Sequence, residues 1–130
     1  MKKFMAFAVA TLMFLPAFAA WDMLDEQPAA KVYVDRTTIK RVGNHVTMAS
    51  LIDLAFTDKQ LKESPPMFRS TRQQDEYDCI GRRMRLQSYT LFAGPMGTGK
   101  AVMQYDEGTA WSSIDANSRN ALKWKAACAA

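Results

Sequence analysis

The strongest constraint on the fold is a two-residue alternation that begins at His45. Val46, Met48, Ile52, Leu54 and Phe56 fall on one side of it, with Ser50 the polar exception. Successive side chains of a strand point to opposite faces, so the pattern predicts a long, half-buried antiparallel strand. Such a strand needs partners along its edges and a cover over its apolar face, and the rest of the chain has to supply both. Lys31 to Asp35 alternates through Val32 and Val34 and reads as a strand. Between the two runs, Arg41-Val42-Gly43-Asn44 has turn chemistry, because Gly43 or Asn44 takes positive φ at little cost.

The remaining elements follow in order. Trp21 to Ala30 reads as a short acidic lead-in, and Thr57 to Pro66 as a polar loop closed by Pro65-Pro66. Phe68 to Asp78 is polar but carries Thr, Tyr and Phe at strand spacing, which predicts an edge or solvated strand. Arg82 to Ala93 is the next strand. Its apolar side switches from Met84 and Leu86 to Tyr89 and Leu91, so a bulge is expected near Gln87 or Ser88. Gly94 to Gly99 turns the chain into Lys100 to Tyr105, Asp106-Glu107-Gly108 turns it again, and Trp111 to Ile114 extends or caps the sheet. The period then changes. Ser118 is a suitable N-cap for a helix from Arg119 to Cys128, with Ala121, Trp124 and Cys128 along one stripe. An α+β domain is expected, an antiparallel sheet of about five to six strands with one face covered by the helix.

The first nineteen residues have the form of an export signal. Lys2 and Lys3 precede an apolar run from Phe4 to Leu15, Pro16 ends it, and Ala17-Phe18-Ala19 is an A-x-A cleavage motif. The run is well short of the roughly 20 residues that span a bilayer. Residues 1–19 are therefore expected to be a cleavable signal and 20–130 a single domain. No further transmembrane segment or lipid-carrying cysteine is expected. The periplasm is the first destination, with secretion or the cell surface as the alternatives.

Composition changes meaning once that segment is set aside. The net charge of +4 over 130 residues contains Lys2 and Lys3, so the exported part carries +2. A nucleic-acid partner is not expected, since that needs a concentrated basic face. In an oxidising compartment Cys79 and Cys128 read as one structural disulfide rather than as reactive thiols, since neither has a Cys-x-x-Cys partner. With His45 they are too few for a four-ligand zinc site, and no metal or cofactor is expected.

Three stretches hint at chemistry. Gly94-Pro95-Met96-Gly97-Thr98-Gly99-Lys100 satisfies the P-loop spacing, but Ala101 stands where a hydroxyl should hold Mg²⁺, and a strand rather than a helix follows. It reads as a hairpin turn. His45, the sole histidine, has no evident nucleophile beside it, and Asp75, Glu76 and Asp78 lack the spacing of a calcium loop and read as a solvated strand face. No catalytic residue is expected. Arg82, Arg83 and Arg85, with Arg69 and Arg72, are the candidates for a basic binding patch. The competing reading is charge that protects a strand from aggregation.

The ordered motifs resemble the surface-adhesin protein E family of Gram-negative bacteria. They are Val32-Tyr33-Val34-Asp35, Thr38-Ile39-Lys40-Arg41-Val42-Gly43-Asn44 before Val46 and Met48, and Glu76-Tyr77-Asp78-Cys79 with Arg82 and Arg85. Gly94 to Gly99, Trp111-Ser112-Ser113-Ile114, Ser118, Leu122-Lys123-Trp124-Lys125 and Cys128 complete the set. The resemblance implies a curved antiparallel sheet with a C-terminal helix pinned by a Cys79–Cys128 disulfide. It also implies a non-enzymatic module contacting host extracellular-matrix or plasma proteins; an envelope-associated periplasmic protein is the alternative. Ala116 and Ala121 depart from the family's proline and glutamate around the helix-capping serine. Losing that capping box weakens the helix start by about 0.5–1 kcal/mol.

Overall fold

The computed structural model describes residues 20–129; the expected signal, 1–19, lies outside the described residues. The strands are β1 (Asp22–Glu26), β2 (Ala30–Val42), β3 (His45–Leu54), β4 (Ser70–Asp78), β5 (Arg83–Phe92), β6 (Ala101–Tyr105) and β7 (Ser112–Ser113). A short helix α1 (Asp58–Glu63) follows β3, and helix α2 (Arg119–Cys128) follows β7. The strands form one curled antiparallel sheet in the order β1-β2-β3-β4-β5-β6. β6 and β7 both pair with β5, at opposite ends of its outer edge.

The alternation from His45 builds the core. Val46 and Met48 meet Val34 of β2, Tyr77 of β4, Met84 of β5 and Ala127 of α2, all buried. Each fully buried side chain of this size is worth about 1.5–3 kcal/mol against exposure. Cys79 and Cys128 form the disulfide, which ties the end of α2 to the turn after β4. Ser118 caps the helix by accepting from the Ala121 N–H at 3.2 Å.

Ser50, the break in the apolar pattern, is fully buried on this same face. It donates to Asp75 Oδ2 at 2.6 Å, and the Tyr77 hydroxyl donates to the same oxygen at 3.1 Å. Lys123 reaches down from α2 to complete the group, with Nζ 2.9 Å from Asp75 Oδ2. Burial and the adjacent Asp75 charge push the Tyr77 phenol well above its ordinary pKa.

Three local readings are corrected. The lead-in contains β1, an edge strand whose acidic side chains are matched by Arg36 on Asp22, Arg119 on Asp25 and Lys31 on Glu26. The polar loop contains α1. Thr57 Oγ1 accepts from the Gln60 N–H at 3.1 Å while the Gln60 side chain accepts from the Thr57 N–H at 2.8 Å, a reciprocal cap that outweighs the nearby prolines. β4 is neither an edge nor solvated: it lies between β3 and β5 with Asp75, Glu76, Tyr77 and Asp78 buried. The bulge falls where expected. Gln74 pairs with Ser88 and Asp75 with Leu86, which leaves Gln87 as the extra residue.

Candidate functional site

On the sheet face opposite α2, β4 and β5 set two carboxylates against two arginines. Glu76 lies across from Arg85 and Asp78 across from Arg83, since these register partners share a face. Arg85 binds Glu76 in a fork, with contacts of 2.9, 3.1 and 3.1 Å. The bulge turns Gln87 so that its amide also donates to Glu76, at 2.8 Å, and His45 Nδ1 sits 3.1 Å from Oε1. Burial pushes the Glu76 carboxyl up, but the bonds from Arg85, Gln87 and His45 and the Arg85 charge outweigh it and hold its pKa below the ordinary value.

Asp78 is held below its ordinary value too, first by the Gly81 N–H at 2.8 Å and then by Arg83 at 2.8 Å. Gly81 owes its identity to this packing, because a Cβ there would strike the Asp78 carboxylate.

Trp111 covers the two arginines. The guanidinium of Arg85 is 4.4 Å and that of Arg83 is 5.0 Å from its ring centre, and the His45 ring is 5.2 Å away. β7 fixes this position by pairing Ser112 and Ser113 with Met84 and Arg83. A half-buried tryptophan framed by arginines has the composition of an interface hot spot. Beside it, Lys40, Val42, His45, Thr47, Glu76 and Gln87 line a shallow groove of about 330 Å³.

The arginine triplet does not form one patch. Arg83 and Arg85 share the outer face, already paired with carboxylates, whereas Arg82 turns to the helix side, 5.3 Å from the Trp124 ring. Arg72 lies elsewhere, 5.9 Å from the Trp21 ring, and Arg69 has a buried Nε without a hydrogen-bond partner. Trp111 and Glu76 were missed as centres of a site. The strict register of Glu76 and Asp78 with Arg85 and Arg83 was the signal that could have found them.

The glycine-rich loop spends the groups that a phosphate would need. The Met96 N–H donates to Asp53 Oδ1 and the Gly97 N–H to Ser70 Oγ, both at 2.8 Å, while Gly94 and Thr98 bond within the loop. A phosphate cradle presents those N–H groups outward, ahead of a helix N-terminus. Here they clamp the loop over β3 and β4, and β6 follows. Among the described residues, no group of three or more His, Cys, Asp or Glu side chains is arranged to hold a metal ion, and no helix is long and apolar enough to cross a membrane.

Comparison with known proteins places this geometry. A search of curated protein sequences finds no match. Among solved structures, crystal form II of Haemophilus influenzae protein E is similar, with a TM-score of 0.56 at 16% identity over 82% of this chain and 91% of that one. Another Haemophilus influenzae protein E structure aligns with a TM-score of 0.55 at 14% identity, covering 82% and 88% of the two chains. Protein E from non-typeable Haemophilus influenzae gives 0.53 at 14% identity, covering 82% and 74%. At such identities the likeness concerns the fold. Residues 21–129 match the family model described as surface-adhesin protein E, nearly the whole described chain, and the protein belongs to that family.

Proposed function

We propose that the chain is an exported, non-enzymatic binding module that contacts host extracellular-matrix or plasma proteins. The observation that carries this reading is Trp111 held half-exposed over Arg83 and Arg85 in a member of an adhesin family. Because Glu76 and Asp78 already neutralise those arginines, the reading gives them a different part from the one expected of a basic patch. They hold the indole flat and present its surroundings, so aromatic and hydrogen-bonding contact outweighs net charge. Arg82 lies on the opposite side of the same hairpin and belongs to a separate surface.

Two measurements test it. Protein purified from its native compartment should begin at Ala20, and fractionation should place it outside the cell or on its surface. Confinement to the periplasm would favour the envelope-associated alternative. Immobilised matrix and plasma proteins should retain the wild-type chain, and Trp111→Ala should weaken retention at least tenfold, the scale of a hot-spot residue. Retention unchanged in W111A, with the fold intact by circular dichroism, rejects this face as the contact.

A further inference from the structure

One end of the sheet carries an arrangement that extends past the groove beside Trp111, sharing Lys40, Val42 and His45 with its rim. The β2–β3 turn and the β4–β5 turn lie side by side there, joined by the Cys79 N–H donating to the Asn44 carbonyl at 2.9 Å. Each turn exposes a large aliphatic side chain: Val42 is 81% and Ile80 73% exposed, more than any other large apolar residue described. Both are β-branched residues set out in solvent at hairpin tips, away from the core.

Cations flank them in sequence. Lys40 and Arg41 precede Val42, His45 follows it, and Arg82 and Arg83 follow Ile80. Lys40 and Arg82 have no carboxylate partner among the described residues, and Arg41 donates to the Cys128 carbonyl at 3.2 Å. The carboxylates nearest the two turns, Glu76 and Asp78, are buried and engaged by Arg85 and Arg83. Asp115, exposed, follows Ile114, whose N–H donates to the Arg82 carbonyl at 3.1 Å, so one carboxylate lies by the Ile80 turn, on the far side of β5 from Val42.

Arg82 adds a second observation. Its φ is +51°, a left-handed conformation that costs a non-glycine residue about 1 kcal/mol or more. Its guanidinium lies 5.3 Å from the Trp124 ring, and that contact holds the cation beside the turn.

We infer that this end of the molecule docks on an anionic lipid surface, with Val42 and Ile80 entering the headgroup boundary and Lys40 and Arg82 meeting lipid phosphates. Two aliphatic tips with a lysine and an arginine beside them complement such a surface in both charge and polarity. A protein partner fits less well. Two four-residue turns are far smaller than the roughly 800 Å² per partner of a stable protein interface, whereas a bilayer sets no such minimum.

The test is co-sedimentation of residues 20–130, which contain every described element, with vesicles of phosphatidylethanolamine and phosphatidylglycerol, and with phosphatidylcholine alone. Binding is expected to the anionic vesicles and to fall with added salt. Val42→Asp with Ile80→Asp should reduce partitioning by about tenfold or more, because several buried carbons are lost from each side chain. Arg82→Gly should weaken it with the fold retained by circular dichroism, since relief at the positive φ offsets the lost Trp124 contact. Met67→Asp is the control, since Met67 is 70% exposed but lies in the loop before β4, at the other end of the sheet. Absence of sedimentation with anionic vesicles overturns the inference. So does equal loss in the Met67 control, or tip variants that lose binding to a protein while vesicle binding stays at background.

Discussion

Removing Lys123 tests the packing of α2 most directly. Lys123 is 4% exposed and Asp75 0%, and their 2.9 Å contact sits under the helix with Ser50 and Tyr77 on the same carboxylate oxygen. The gross attraction of two unit charges at that distance is about 6 kcal/mol at an effective dielectric constant of roughly 20. Desolvating each ion costs several kcal/mol, so the intact pair contributes little beyond what an apolar pair would. Losing one partner is different. Lys123→Met leaves Asp75 buried with two hydroxyl donors and no cation, and its Oδ1 has no hydrogen-bond partner even in the native arrangement.

The expected cost is about 3–5 kcal/mol, the range for a buried pair broken on one side. A domain of this size has about 5–15 kcal/mol in total, so the variant should lose about a fifth of its stability or more. Urea unfolding followed by tryptophan fluorescence measures this, because Trp124 lies one residue from Lys123 in α2. The double variant Lys123→Met, Asp75→Leu should recover most of the loss, since no charge then remains buried. The reasoning fails if Lys123→Met costs less than about 1 kcal/mol, or if the double variant is no more stable than the single one.

Three further outcomes are expected. The carboxyls of Glu76 and Asp78 have lowered pKa values in the fold, so between their folded and unfolded values the unfolded chain binds more protons. Their contribution is complete above the unfolded values, near pH 4, and is lost as pH falls through the folded ones; melting against pH should show a shallower acid limb in Glu76→Gln. Replacing Cys79 and Cys128 by serine opens a link across 49 residues, which chain entropy values at about 4 kcal/mol, read as a lower urea midpoint. Lys100→Ala should leave stability and nucleotide retention unchanged, since the loop before it directs its N–H groups to Asp53 and Ser70.

How much of this was legible follows from where the chemical information resides. The strand from His45, the bulge at Gln87 and the Ser118 cap were readable because each depends on residues close together in sequence. β4 was misread for the opposite reason. Asp75, Glu76 and Asp78 look solvated by composition, yet each is buried against a partner from another segment: Lys123 lies 48 positions away from Asp75, and Arg85 lies nine from Glu76. Hydropathy assigns a charge to water by default and carries no record of a distant counter-charge. The arginine triplet is a different kind of failure, because its resolution was available. Alternation alone sends Arg83 and Arg85 to one face and excludes Arg82 from it, as Trp111 and Trp124 now mark. Counting positive charge along a strand therefore overstates a patch unless the count is taken by face and reduced by the carboxylates across the register. By that stricter count the outer face of β4–β5 is nearly neutral, and Lys40 and Arg82, without a carboxylate partner among the described residues, lie by the tips that carry Val42 and Ile80.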